Sequence, residues 1–383
     1  MHLMLGDCLE RMKEIPDNSV DSVVTDPPYA LNFMGKKWDS DVPSTDIWTE
    51  ALRVLKPGGH LLSFGGTRTY HRMVVAIEDA GFEIRDCIQW VYGSGFPKSH
   101  NLKEEWQGWG TALKPANEPI VVARKPLEKD LTVAQNVLKW GTGALNIDGS
   151  RIEAADQAVL DAAVKRMTGN VVTNANSKNF LEGQKEIKPN SAQGRWPANI
   201  IFDEEAAKAL DEQSPNAGAN GGKSCGFDWT KSGKNMGKEI LKDKGGASRF
   251  FYVAKASKAE RNAGLEGMPT VESSSGDKRP SGNMNERIHG KENRSPVLAQ
   301  NHHPTVKPLK LGTYLQNLVT PPGGVTLDPF MGSGSFGVSA KAAGFKFIGI
   351  ERDEAYFEIA KKRIESAGPV VKEKDESQLE FPA

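Results

Sequence analysis

The sequence predicts an α/β fold: a mostly parallel sheet with helices on both faces, and an irregular inserted region. Three observations predict it. Through residues 1–124, apolar runs of strand length alternate with segments whose apolar positions recur at helical spacing. Near the other end, Thr326-Leu327-Asp328-Pro329-Phe330-Met331-Gly332-Ser333-Gly334-Ser335-Phe336-Gly337 passes from a strand through a glycine-rich turn into a helix. Between the two, residues 125–300 lose the alternation, and Gly, Ser, Asn and Lys dominate.

His2-Leu3-Met4-Leu5 reads as the first strand, and residues 8–15 as a helix ended by Pro16, which cannot continue one. The apolar stretch Val20-Asp21-Ser22-Val23-Val24-Thr25 reads as a short buried strand. Residues 44–55 carry Ile47, Ala51, Leu52 and Leu55 at helical spacing and are closed by Lys56-Pro57-Gly58-Gly59. His60-Leu61-Leu62-Ser63-Phe64 is a strand, 68–80 a helix stopped by Gly81, and 83–92 a strand expected to pair with Pro119-Ile120-Val121-Val122-Ala123-Arg124. In the far segment, residues 338–343 read as a helix and Phe345-Lys346-Phe347-Ile348-Gly349-Ile350 as the next strand, ending in Glu351.

The strand at 20–25 ends in Asp26-Pro27-Pro28-Tyr29. The prolines lack N–H groups and fix φ, so a rigid corner holds a carboxylate, a carbonyl and an aromatic face together. Such a set suits a flat ring bearing an exocyclic amine: Asp26 and the Pro27 carbonyl accept its two N–H bonds while Tyr29 stacks. An ordinary proline turn is the plainer alternative. The glycine loop is an independent sign, because backbone without side chains can approach a ligand at the mouth of a parallel sheet, and Glu351 is placed to hold two ribose hydroxyls. Taken alone that loop suits any nucleoside cofactor, dinucleotides included.

Together the two elements resemble the amino-methylating DNA methyltransferases that use S-adenosylmethionine. The order, Asp-Pro-Pro-Tyr first and Asp-Pro-Phe-x-Gly-x-Gly last, is that of the permuted beta group. The resemblance extends to His303-Pro304-Thr305-Val306-Lys307-Pro308 and to Gly6-Asp7-Cys8, and covers residues 1–125 and 300–365. It implies a Rossmann-like sheet in which the last two strands of the first segment form an antiparallel edge pair, a catalytic corner at Asp26, Pro27, Pro28 and Tyr29, and a cofactor site at Asp7, Thr305, Lys307, Asp328, Phe330, Gly332, Gly334 and Glu351. Asp7 reads equally well as an N-cap for the helix at 8–15. The implied reaction is methyl transfer from S-adenosyl-L-methionine to adenine N6 of a base rotated out of double-stranded DNA, with no covalent enzyme intermediate. N4-cytosine, RNA and protein amides are the alternative acceptors, and a catalytically silent DNA-binding module keeping the fold is the rival from another class. The implied organisation is a catalytic half at 1–125, a target-recognition region at 126–300 and a cofactor half at 301–383 with a polar tail. A homodimer and a cognate restriction enzyme are candidate partners.

The 383 residues suffice for an α/β core plus a second domain. Cys8, Cys87 and Cys225 are too few and scattered for a disulfide framework or a metal cluster, and no apolar run approaches a membrane span. A reducing, intracellular compartment is therefore expected, and the resemblance implies a cytoplasmic, DNA-associated protein of a bacterial or phage-infected cell. Formal charge balances, but residues 221–310 carry 17 Lys and Arg against 9 Asp and Glu, whereas residues 1–60 carry 6 against 10. That asymmetry suggests a basic binding region beside a more acidic catalytic body. Phe227, Trp229, Phe250, Phe251 and Tyr252, interleaved with the basic residues, are candidates to stack or wedge at a displaced base, or to form the core of a small subdomain.

Overall fold

A computed structural model describes residues 1–31, 41–95, 99–153, 194–215, 222–223, 239–240, 245–254, 259–272 and 298–368. In chain order the main strands are β1 (His2–Leu5), β2 (Val20–Thr25), β3 (Leu55–Phe64), β4 (Glu83–Val91), β5 (Asn117–Arg124), β6 (Ile200–Asp203), β7 (Tyr252–Ala254), β8 (Val325–Asp328) and β9 (Lys346–Glu351). The α-helices are α1 (Cys8–Met12), α2 (Thr45–Val54), α3 (Tyr70–Asp79), α4 (Val133–Trp140), α5 (Glu204–Gln213), α6 (Leu309–Val319), α7 (Ser335–Ala342) and α8 (Glu354–Ser366). The chain forms two units, one from Met1–Cys87, Pro119–Asn146 and Lys255–Ala383, the other from Ile88–Glu118 and Ile147–Ala254. Of the described residues between 126 and 300, 126–146, 259–272 and 298–300 belong to the first unit.

In the first unit the strand order is β1-β9-β8-β2-β3-β5, with the start of β4 beyond β5. All pairs from β1 to β3 are parallel, and β5 runs antiparallel to β3 with His60 opposite Arg124 and Phe64 opposite Ile120. Every residue of β2 is buried, as a central parallel strand covered on both faces must be. Its polar members survive burial because each is paired. Asp21 accepts from Lys56 Nζ at 2.6 Å and from the Val325 N–H at 2.7 Å, and Ser22 Oγ lies 2.7 Å from Thr320 Oγ1.

One face of the sheet carries α1, α2 and α3, whose Met12, Trp48, Ala51, Val54, Met73 and Ile77 pack on Val23, Leu61, Val121 and Leu327. Trp48 is wholly buried, and truncating it would cost about 3–5 kcal/mol. Phe64 points the other way, where Phe336 of α7 stacks on it with ring centroids 5.8 Å apart.

Several expected boundaries move. The helix expected at 8–15 stops at Met12, and a tighter turn from the Ile15 N–H to the Met12 carbonyl completes the segment. β3 begins at Leu55, because Leu55 pairs with Val20 and an irregularity absorbs Pro57-Gly58 before Ser22 meets His60. Gly59 is required there: a Cβ would stand 3.0 Å from the Asp21 carbonyl oxygen. Helices α4, α5, α6 and α8 go beyond the helices read from the sequence by residue range. For α4 the signal was present, a Thr132–Gln135 capping box and a left-handed Gly141 at φ 77°.

In the second unit the end of β4 pairs parallel with β6, Gln89 opposite Ile200, and β6 pairs parallel with β7. The apolar islands around Trp196–Phe202 and Arg249–Val253 supply β6 and β7. Asp203 starts α5 by accepting the Ala206 N–H at 2.7 Å and also takes the Gly93 N–H at 3.0 Å. Phe202 meets Phe251 edge-on at 5.0 Å. Cys225, Phe227, Trp229 and the tail beyond residue 368 lie outside the described residues. Among the described residues no helix is long and apolar enough to cross a membrane, and no group of three or more His, Cys, Asp or Glu could hold a metal.

Candidate functional site

The chain leaves β8 through α7 to β9 on one side, and leaves β2 through α2 to β3 on the other. Two parallel neighbours whose crossovers diverge open a crevice at their carboxyl ends. Both sequence motifs begin there. Thr25 donates its hydroxyl to Asp328 Oδ1 at 2.6 Å, joining strand ends 303 residues apart in the chain. Asp328 also accepts the Phe330 N–H at 3.1 Å, and burial, only partly offset by those bonds, pushes its carboxyl up to about 7.

At the proline corner the Tyr29 hydroxyl donates to Asp26 Oδ1 at 2.6 Å, and Lys307 Nζ donates to Asp26 Oδ2 at 2.7 Å. The Lys307 side chain is 7% exposed and that of Asp26 15%. The Tyr29 carbonyl accepts from Thr69 Oγ1 at 2.6 Å, and a Cβ on Gly66 would stand 3.2 Å from Tyr29 Cβ, so Gly66 lets the corner seat closely.

Across the crevice Gly332 has φ 53° and Gly334, the residue before α7, has φ 79°. A Cβ on Gly332 would lie 2.8 Å from His303 Nε2. The Gly332 N–H donates to Glu351 Oε2 and the Asp353 N–H to Oε1, both at 2.8 Å. Burial raises the Glu351 carboxyl and these N–H groups oppose the rise. From α8, buried Arg363 reaches under the loop to the Ser333 carbonyl and hydroxyl.

His303 Nδ1 faces the Thr305 carbonyl at 2.8 Å and so carries the proton, since a carbonyl only accepts. Burial pushes this imidazole down to about 4, leaving it neutral. The strand of chain from 301 to 307 is braced by Arg261, which donates to the Asn301 and His303 carbonyls at 3.2 and 2.6 Å.

The structure therefore brings Asp26, Pro27, Pro28, Tyr29, Lys307, Asp328, Phe330, Gly332, Gly334 and Glu351 to the ends of adjacent strands. Lys307, grouped by resemblance with the cofactor residues, pairs with Asp26. Thr305 offers its carbonyl to His303. Asp7 caps α1 through the Leu9 N–H at 2.9 Å, in line with its alternative reading. Thr25, His303, Arg261 and Arg363 were not singled out as site residues; His303 opens the 303–308 segment that carries part of the resemblance, and no spacing or composition signal marks the other three. Cys8 is buried, which pushes its thiol up to about 12 and leaves it unsuited to attack.

A sequence model described as DNA methylase matches residues 20–362. The type II methyltransferase M.HindIII of Haemophilus influenzae is 24% identical over 197 residues, 37% of this chain and 63% of the relative. YubD of Escherichia coli (strain K12) is 35% identical over 110 residues, 27% of this chain and 46% of the relative. The chain thus spans less than two thirds of either relative's length. A solved structure of PvuII DNA methyltransferase (cytosine-N4-specific), 13% identical, aligns over 94% of this chain and 85% of that one with a TM-score of 0.44.

Proposed function

The chain belongs to the N6/N4 DNA methylase family, and from that premise we propose that it transfers a methyl group from S-adenosylmethionine to the exocyclic N6 amine of an adenine rotated out of double-stranded DNA. The observation that carries this reading is the 2.6 Å bond between Thr25 and Asp328, which sets the amine-gripping corner beside the glycine loop.

The residues present fit the cofactor. Gly332 and Gly334 take left-handed conformations that leave backbone without side-chain bulk. Glu351 takes the Gly332 N–H on Oε2 and the Asp353 N–H on Oε1, which fixes its carboxylate at the strand end to accept a ribose hydroxyl. When bound, the cofactor supplies a methyl group activated by its sulfonium sulfur.

The chain's own residues do the rest. Adenine N6 is a weak nucleophile because its lone pair is delocalised into the ring. Asp26 and the Pro27 carbonyl would accept its two N–H bonds and draw that pair onto nitrogen, holding the amine where the cofactor's methyl would be supplied. Methylation leaves the amine with a surplus proton, which would depart through Asp26 or water. Tyr29 orients the Asp26 carboxylate through its hydroxyl and replaces part of the stacking lost on base rotation, a cost of about a few kcal/mol. The aspartate that opens the corner supports adenine over N4-cytosine, whose family pattern begins with serine.

DNA reading is assigned to the 126–300 interval, whose second-unit part carries guanidinium groups over aromatic rings, Arg151 on Trp196 at 5.4 Å and Arg249 on Phe250 at 4.2 Å. The test is to map methylated bases in DNA from cells expressing the protein, alongside transfer of labelled methyl to DNA, RNA and protein. N6-methyladenine at a recurrent site is expected. N4-methylcytosine would reassign the base, and label confined to RNA or protein would overturn the reading. Asp26→Ala should abolish transfer while calorimetry still records cofactor binding; retained transfer would refute the role of Asp26.

A further inference from the structure

At Lys307 the resemblance and the geometry part. We propose that Lys307 is a positioning residue of the methyl-transfer step, fixing the Asp26 carboxylate for the incoming amine rather than serving the cofactor's carboxylate. The inference rests on the amine-methylation reading and deepens it.

A lysine that is 7% exposed must be compensated, because a buried ammonium without partners is costly. Here Nζ donates to Asp26 Oδ2 at 2.7 Å and to the Tyr29 hydroxyl at 3.4 Å, while Tyr29 donates to Asp26 Oδ1 at 2.6 Å. The ammonium also stands over the Phe64 ring at 4.9 Å and the Tyr29 ring at 5.6 Å. Its chemistry is therefore turned toward the proline corner.

An aspartate carboxylate otherwise turns easily, since its terminal torsion is broad and twofold. Held at Oδ2 by Lys307 and at Oδ1 by Tyr29, the Asp26 carboxylate has one plane. Each oxygen accepts two bonds, so both keep capacity for an amine N–H. The segment carrying Lys307 is anchored in turn, because Arg261 holds the Asn301 and His303 carbonyls. Ammonium and carboxylate are thus oriented together, and Lys307 acts on the amine through Asp26 without touching substrate.

The test uses the full chain, labelled S-adenosylmethionine and duplex DNA, with Lys307→Met, Lys307→Arg and Lys307→Ala. If Lys307 aims Asp26, kcat at saturating cofactor falls about 10²-fold in Lys307→Met, the scale set by misplacing a catalytic group. Cofactor Kd by calorimetry should stay within about threefold, because the uniform binding of the cofactor is untouched. Lys307→Arg keeps more rate than Lys307→Met. Added propylammonium restores part of the rate of Lys307→Ala, whereas propanol, of the same size without the charge, does not. Wild-type kcat in Lys307→Met, or lost cofactor affinity with kcat retained, would overturn the proposal and return Lys307 to the cofactor. Should the unpaired Asp26 prevent Lys307→Met and Lys307→Ala from folding, Lys307→Arg decides by the same two quantities. Wild-type protein, run in the same assay, reports separately on the underlying reading: no transfer to DNA from wild type sinks that reading itself.

Discussion

Gly332 shows what one methyl group decides. Its φ of 53° lies in the left-handed region, and a Cβ would stand 2.8 Å from His303 Nε2. Gly332→Ala combines backbone strain of about 1–2 kcal/mol with a clash against a ring held by the Thr305 carbonyl. The strain lowers stability in free and bound protein alike, whereas relief of the clash displaces the loop, and cofactor affinity should fall about tenfold, equivalent to about 1.4 kcal/mol of lost contact, as read by calorimetry. Gly323, with φ 68° and nothing within 4 Å of its would-be Cβ, is the control: Gly323→Ala carries strain without the clash and should leave affinity alone. Equal affinities for wild type and Gly332→Ala would remove the loop from the cofactor site. At this scale Asp26, Gly332 and Glu351 were legible, because a carboxylate after a strand and a glycine in a turn announce their chemistry locally. Thr25 and His303 were not, because what they do depends on Asp328 and Gly332, which lie far off in the chain.

Among the elements, the segment from 301 to 307 has no regular structure and depends on its brace. Arg261 supplies two charged bonds to its carbonyls, at 3.2 and 2.6 Å, each worth roughly 1.5–3 kcal/mol. Arg261→Ala should therefore lower the melting temperature, speed proteolysis within residues 298–308 and reduce kcat, since Lys307 loses its anchorage; protease mapping that shows no new cleavage there would contradict the brace. This bracing was hidden from the sequence, in which residues 259–265 read as the loop-rich middle. The helices fared differently. α2 and α3 stood out by apolar spacing, and α4 carried a readable capping box at Thr132 and Gln135. β3 was cut short in the reading because Lys56-Pro57-Gly58-Gly59 has turn chemistry, and only pairing with Val20 keeps Leu55 in the strand.

Over the whole molecule, burial of titratable groups sets a pH dependence with opposing parts. His60 and His303 are each pushed down by burial from the ordinary 6.5 to about 4, so the folded protein leaves them neutral where the unfolded chain binds their protons. Their contribution is full above pH 6.5 and is lost as pH falls toward 4. Asp328, raised from 3.8 to about 7, works the other way: the folded state binds a proton the unfolded state releases, so its part of the stability grows as pH falls through that window. His60→Gln should flatten the loss of urea-unfolding free energy between pH 6.5 and 4, and Asp328→Asn should steepen it. Identical slopes in wild type and His60→Gln would show that this imidazole titrates normally. The sequence by itself determined the α/β class, the order of the two motifs and the chemistry each can perform, because apolar periodicity, proline corners and glycine loops act over a few residues. Only the tertiary structure decided that Lys307 faces Asp26, that Thr25 ties Asp328, and that the two motifs adjoin. Those facts follow from β2 and β8 pairing side by side, and strand pairing is settled by the packing of the whole sheet, which no local window contains.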